Sequence, residues 1–191
     1  MINYPFIVFE GIDHSGKTTV SKKIAENYRD FKWAHEPVFP SEFADKLNSD
    51  EYKEFPAKRE VLFLEGRLGR QNFYNGNPVI LDRYLWSGMA YAKAFSPSIY
   101  PFCQELYQNY RIFKKPTLYF FMDTPVDLCL SRRTPDSKET EEKLTLKRQA
   151  YAETEQFVNS PIVYIDGKAS VDECVEQCLA ALREHCPKYF I

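Results

Sequence analysis

The sequence predicts an α/β fold, a five-stranded parallel sheet flanked by helices on both faces with a short lid, and three observations lead there. Apolar runs recur that are short and continuous rather than alternating, as in strands buried on both faces. Polar–apolar segments with helical spacing separate them, so strand and helix alternate. A G-x-x-x-x-G-K-T stretch, Gly11–Thr18, lies between the first run and the first helical segment.

The elements follow in chain order. PFIVFE, ending at Glu10, is the first strand, and Thr18–Tyr28 has the spacing of the first helix. FKWAH, ending at His35, is a weaker strand. Ala57–Phe73 reads as a long helix, NPVILD as a strand ending at Asp82, and Trp86–Phe95 as a helix. PTLYFFMD ends at Asp123, SPIVYID ends at Asp166, and Val171–His185 closes the pattern as a helix. KLTLKRQAYAETEQF suits a helix that supports the lid or meets a partner. RRTPDSKETEEK, about residues 132–143, is charged, contains a proline and lacks an apolar anchor, so it reads as a mobile loop. Parallel sheets bind ligands at the carboxyl ends of their strands, which directs attention to Glu10, Glu36, Asp82, Asp123 and Asp166.

The chain has 191 residues, 44% hydrophobic and 16% aromatic, enough for one substantial core and short for two, so residues 1–191 read as a single domain. A formal charge of -2 leaves no basic field for a nucleic-acid backbone; an anionic ligand has to be met by a local cluster of Lys and Arg. No apolar run approaches the ~18 residues of a membrane span. Five cysteines, an odd number, and no basic-then-apolar leader give the expectation of a reducing, cytoplasmic compartment. Cys174, Cys178, His185 and Cys186 match no common zinc spacing.

The loop carries a mechanism. Gly11 and Gly16 let the backbone curl around phosphates, and the helix end adds positive potential. Lys17 reaches the outer phosphates and Thr18 offers a hydroxyl to Mg²⁺. His14, Ser15 and Thr19 complete the donor-phosphate site. This binds a nucleoside triphosphate such as ATP without stating the reaction. No guanine-reading N-K-x-D is present, and the size suits a small-molecule kinase. Asp82 at a strand end can hold Mg²⁺ through water, and Arg83 beside it can clamp an anionic acceptor.

Four stretches in order, FEGIDHSGKTT, LFLEGR, DRYLWSGMAY and KPTLYFFMDTPVDLCLSRR, resemble the thymidylate kinase family of P-loop nucleoside monophosphate kinases over most of the chain. The resemblance implies a P-loop kinase fold, Mg²⁺-dependent transfer from ATP to dTMP giving ADP and dTDP, and a homodimer. It implies Phe63 stacked on thymine, and Arg67, on the same helical face, donating to a base carbonyl. Asp13 would sit near the acceptor sugar and phosphate, with Arg83 on that phosphate. Ser87 and Tyr91, one turn apart, would lie along the deoxyribose. Arg132 would cover the donor adenine, and Arg133 and Lys138 would be lid cations.

The chain departs from the family pattern where it reads His35-Glu36-Pro37-Val38-Phe39-Pro40 instead of an arginine before Glu-Pro and Gly-Gly-Thr after it. Glu36 is expected as a polar organiser near Arg83; in a deoxynucleoside kinase it would instead be the base for a 5'-hydroxyl. A non-catalytic nucleotide-binding adaptor is the remaining alternative. His14 occupies a position where an arginine or a small residue is usual, as a pH-dependent cation or as a spacer.

Overall fold

The computed structural model describes residues 4–36, 46, 49, 51, 55–109 and 112–190. Five parallel strands, β1 (Phe6–Glu10), β2 (Lys32–His35), β3 (Val79–Asp82), β4 (Leu118–Asp123) and β5 (Ile162–Asp166), form one sheet in the order β2-β3-β1-β4-β5. Along β1 the side chains alternate between two apolar layers. Ile7 and Phe9 pack with Ile80, Phe120 and Met122 under α1 (Lys17–Asn27) and the C-terminal helix Val171–His185. Phe6 and Val8 pack with Leu81, Tyr119 and Phe121 on the opposite face. A parallel strand at the sheet centre therefore needs apolar residues toward both faces, which FIVF supplies before the strand ends at Glu10.

Among the described residues the helices after α1 are α2 (Pro56–Gly69), α3 (Gln71–Gly76), α4 (Leu85–Phe95), α5 (Tyr100–Gln108), α6 (Val126–Ser131), α7 (Glu141–Thr154) and α8 (Val171–His185). The outer helix α8 buries Cys174, Val175, Cys178, Leu179 and Leu182, a stripe at helical spacing, and starts at a Ser170/Glu173 capping box. Trp86 and Met89 of α4, Tyr107 of α5, and Leu144 and Tyr151 of α7 fill the Phe6/Val8 face.

Four details differ from the sequence reading. The expected helix Ala57–Phe73 is two helices: the chain turns at Arg70, whose N–H bonds back to Arg67 O and Leu68 O, and restarts at Gln71. The edge strands β2 and β5 are partly exposed, because each has a neighbour on one side only; Tyr164 of β5 is 48% exposed. The loop expected over 132–143 ends early, since Thr140 Oγ1 accepts the Lys143 N–H and caps α7 from Glu141 onward. The segment Tyr100–Gln108, to which the sequence reading assigned no element, is helix α5, opened by a proline in its first turn. Pro37–Pro40, part of the departure from the family pattern, lie outside the described residues.

Candidate active site

The register of β1 against β3 sets the site. Phe9 pairs with Asp82, so the loop leaving β1 and the Asp82-Arg83 pair leaving β3 emerge side by side. The loop has the backbone its residues predict, with Gly11 at φ 137° and Gly16 at φ 98°. Gly16 is the N-cap of α1, with no side-chain cap and no acidic residue in the first turn. That helix end, which natural sequences usually satisfy with a Ser or Asp oxygen, is instead left for an anion. Thr18 and Thr19 lie exposed on the same turn, and Ser15 is anchored beneath it by the Thr124 hydroxyl, which donates to Ser15 O.

Lys17 is buried and donates to Ile12 O at 2.6 Å and to Ser15 Oγ at 3.2 Å. Burial, then the Arg83 guanidinium, lowers its pKa to about 8 against the pull of Asp82, Asp13 and Glu10. The Thr18 hydroxyl donates to Asp82 Oδ2, while Asp82 Oδ1 is buried with no hydrogen-bond partner among the described residues. An orphaned carboxylate oxygen beside a threonine hydroxyl at a phosphate loop is a donor set of the kind Mg²⁺ takes, completed by waters and phosphate oxygens.

All seven residues that the sequence reading assigned to the acceptor, Asp13, Glu36, Phe63, Arg67, Arg83, Ser87 and Tyr91, line one cavity of about 240 Å³. Arg83 Nη2 donates to Asp13 Oδ1 at 2.6 Å, and the Tyr91 hydroxyl donates to Asp13 Oδ2 at 2.6 Å. The guanidinium lies 5.3 Å from the centroid of the Tyr91 ring. Burial alone would raise the Asp13 carboxyl, but Arg83, Lys147 and Lys17 outweigh it and hold it well below the usual carboxylate range. Arg83 has φ 72° and His14 φ 62°, left-handed conformations that cost a residue with a Cβ and that gather at functional sites.

Glu36 corrects the sequence reading. It organises Arg67, not Arg83: Arg67 Nε donates to Glu36 Oε2 at 2.5 Å, and the Tyr74 hydroxyl donates to Oε1 at 3.0 Å. Burial pushes the Glu36 carboxyl up, opposed by the Arg67 guanidinium. The reason is distance along α2, which brings Arg67 over the end of β2 while Arg83 turns toward the loop. Arg67 Nη1 also donates to the Tyr107 hydroxyl at 2.7 Å, so two elements fix the guanidinium on the cavity wall. Phe63, one turn earlier, is half-buried on the same wall.

The donor side and lid are looser. Arg132 Nη2 donates to Gly167 O at 3.0 Å, with Nη1 near Gly16. Arg133 is exposed and donates to Glu139 O at 2.7 Å, within the lid itself, and Lys138 is exposed. His14 Nε2 and Ser137 Oγ are 2.9 Å apart, so the imidazole touches the lid, a role that neither sequence reading of it foresaw.

Glu10 was singled out as a strand-end carboxylate but given no role, and His35, Glu60 and Lys147 were not assigned to the site. Glu10 accepts hydrogen bonds from the backbone N–H groups of Tyr84 and Ser87 and from the Ser87 and Tyr151 hydroxyls, fixing the start of α4. His35, whose pKa burial lowers, and the buried Glu60 line the acceptor cavity. Lys147 of α7 is buried and bonds Asp13 Oδ2 at 2.5 Å. Its position gave a signal: it shares a helical phase with the apolar Leu144 and Tyr151, where a lysine needs a partner.

Comparison with known proteins places this arrangement. The family model described as thymidylate kinase matches residues 9–178. The thymidylate kinase of Leptospira interrogans (strain Fiocruz L1-130) is 28% identical, over 91% of both chains. The probable thymidylate kinase of Archaeoglobus fulgidus is 30% identical, over 90% of this chain and 91% of that one. Among solved structures, thymidylate kinase from Candida albicans aligns with a TM-score of 0.78 at 21% identity, over 99% of this chain and 94% of that one. Deoxyadenosine kinase from M. mycoides aligns at 0.75 and 19% identity, over 93% and 98%. These two show a shared fold.

Proposed function

Because the chain belongs to the thymidylate kinase family, we propose that it transfers the γ-phosphoryl of ATP to dTMP, giving ADP and dTDP for dTTP synthesis. The observation that carries the reading is the Arg83–Asp13 ion pair, 2.6 Å long, between the phosphate loop and the acceptor cavity. A guanidinium held there meets an acceptor that already bears a phosphate, which needs little help from a base, so catalysis is positioning and charge neutralisation. Lys17 and the open end of α1 hold the outer phosphates of ATP. Thr18 and Asp82 would hold Mg²⁺, which would supply charge neutralisation for the transferring phosphoryl group. Arg132 covers the adenine, and Arg133 and Lys138 join the phosphates when the lid closes. Phe63 stacks on thymine, Arg67 donates to its carbonyl, and Ser87 and Tyr91 line the sugar. Glu36 has both oxygens engaged by Arg67 and Tyr74, which supports an organising role over that of a base.

The reading includes a single cytoplasmic domain over residues 1–191 and a homodimer. No helix among the described residues is long and apolar enough to cross a membrane. Val61 and Leu68, exposed and two turns apart on α2, are apolar surface that a second copy would cover.

The test is coupled ADP release with Mg²⁺-ATP against dTMP, dUMP, dCMP, dGMP and thymidine. dTMP is expected to be the best acceptor and thymidine nearly inert. Thymidine outperforming dTMP would transfer the reading to a deoxynucleoside kinase with Glu36 as base.

A further inference from the structure

Lys147 is the one lysine of α7 that faces inward among the buried residues of that helix. Its ammonium bonds two carboxylates at once, Asp13 Oδ2 at 2.5 Å and Glu139 Oε2 at 2.6 Å. It also lies 4.9 Å from the centroid of the Tyr91 ring and 5.7 Å from that of Phe95. A lysine this enclosed is unusual unless its charge is used, because taking an ammonium out of water is costly. Its two partners differ in kind. Asp13 belongs to the phosphate loop and also bonds Arg83 and Tyr91. Glu139 belongs to the lid, just before the Thr140 cap, where Arg133 holds its carbonyl.

We propose that Lys147 is an acceptor-binding residue that also holds Asp13 against Arg83, and that Glu139 is an internal counter-ion which the anionic acceptor displaces. The charges argue for this. Arg83 and Lys147 are balanced by Asp13 and Glu139, so the closed cluster is neutral. A phosphate monoester brings one to two further negative charges, about -1.5 to -2 near pH 7. Glu139 sits on a loop and is the partner that can leave, whereas Asp13 is locked from three sides. Room for that movement exists: a second cavity of about 390 Å³ borders the acceptor cavity, sharing Glu60, Phe63 and Tyr91 with it and lined also by Glu139, Lys143 and Lys147. Acceptor entry thereby releases the lid's own anion, and the cation that it covered turns to the substrate. The positive charge at the acceptor end then comes from a helix that does not move, while Arg133 and Lys138 remain on the outer surface of the lid until it closes.

This rests on the reading of the site as a dTMP kinase, and the experiment separates the two. Steady-state ADP release is measured with dTMP and ATP varied in turn for wild type, Lys147→Met, Lys147→Arg and Glu139→Gln, with a thermal melt of each. Wild type inactive on dTMP would overturn the function itself. With wild type active, Lys147→Met should raise the dTMP KM at least about tenfold, as loss of one member of a buried charge pair does, with the ATP KM within about twofold. Lys147→Arg should recover most of that loss, and Glu139→Gln should lower the dTMP KM. Lys147→Met with an unchanged dTMP KM, or with both KM values raised alike and no rescue by arginine, would reduce Lys147 to a packing role. If Lys147→Met fails to fold, Glu139→Gln decides: a dTMP KM that is unchanged or higher overturns the counter-ion.

Discussion

Gly88 lines the acceptor cavity from inside α4, where a glycine costs helix stability of about 1 kcal/mol relative to alanine. The structure explains its presence. A Cβ built there would lie 2.5 Å from Arg67 Nη1, 2.7 Å from the Tyr107 hydroxyl oxygen and 2.8 Å from Tyr107 Cε2. The first two of these atoms are hydrogen-bonded to each other, and Glu36 holds the guanidinium from its other edge. Neither can retreat freely. Gly88→Ala therefore gains about 1 kcal/mol of helix propensity and loses about 1–3 kcal/mol to overpacking, for a net loss of ~0–2 kcal/mol in stability. The effect on activity is larger. Arg67 has to shift by on the order of 1 Å, and a misplacement of that size at a positioning group costs roughly 100-fold. Coupled ADP release should show kcat/KM for dTMP reduced about 10- to 100-fold, with the preference for dTMP over dCMP eroded and the ATP KM unchanged. Wild-type kcat/KM for dTMP in a variant that melts normally would mean that Arg67 does not read the acceptor from this position.

Lys17→Ala should cut turnover by at least about 100-fold, as loss of one preorganised donor does, without unfolding the chain; near-normal turnover would remove the loop from catalysis. Because the Lys17 pKa is about 8, the free enzyme loses this cation as pH rises through that value, so kcat/KM for ATP should fall above it; a flat profile to pH 9.5 would contradict the assignment. Burial raises the Glu60 carboxyl to about 7 from 4.5, so the native state holds a proton that the unfolded chain releases, and stability falls as pH rises across that window. Glu60→Gln should therefore gain up to about 3 kcal/mol over wild type at pH 8 relative to pH 4.5, read by urea denaturation; equal differences at both pH values would refute it. His14→Ala and Ser137→Ala should each cost about tenfold or less in turnover, near 1.4 kcal/mol, and the double variant no more than either, because they break one bond. Additive losses would separate the two groups.

What the sequence made legible was whatever depends on short-range pattern. The run FIVFE had to be a buried strand because all its residues are apolar up to the final glutamate, and Gly11–Thr18 had to follow it as a loop because of its glycines and lysine. The residues assigned to the acceptor converge on one cavity although they come from the loop, the ends of β2 and β3, α2 and α4, since family motifs preserve through-space relations that spacing alone does not encode. Spacing failed where a contact is long-range. Glu36 was assigned to Arg83, yet it meets Arg67, 31 positions along the chain, for reasons visible only once α2 is laid across the end of β2. Lys147 lies 134 positions from Asp13 and was hidden in a segment read as a helix that supports the lid or meets a partner. His14 could be read as charge or as spacer; its contact with Ser137 needed the lid in place.

The carboxylate of Glu10 ties three pieces together, since from the end of β1 it accepts hydrogen bonds from the start of α4 and from Tyr151 of α7. Because α6 ends at Ser131 and α7 begins at Glu141, the only stretch between those fixed points that is free of helix is residues 132–140. Such a tether spans about 30 Å fully drawn out and must return to its anchor, so its excursion is about half that. On the proposed reading it would shut over the phosphates and leave the base to the walls built by α2 and α4. Discrimination among bases would then be a passive sieve and not a checkpoint: a wrong nucleotide is refused on entry, and its penalty falls on binding, not on the rate of turnover once bound.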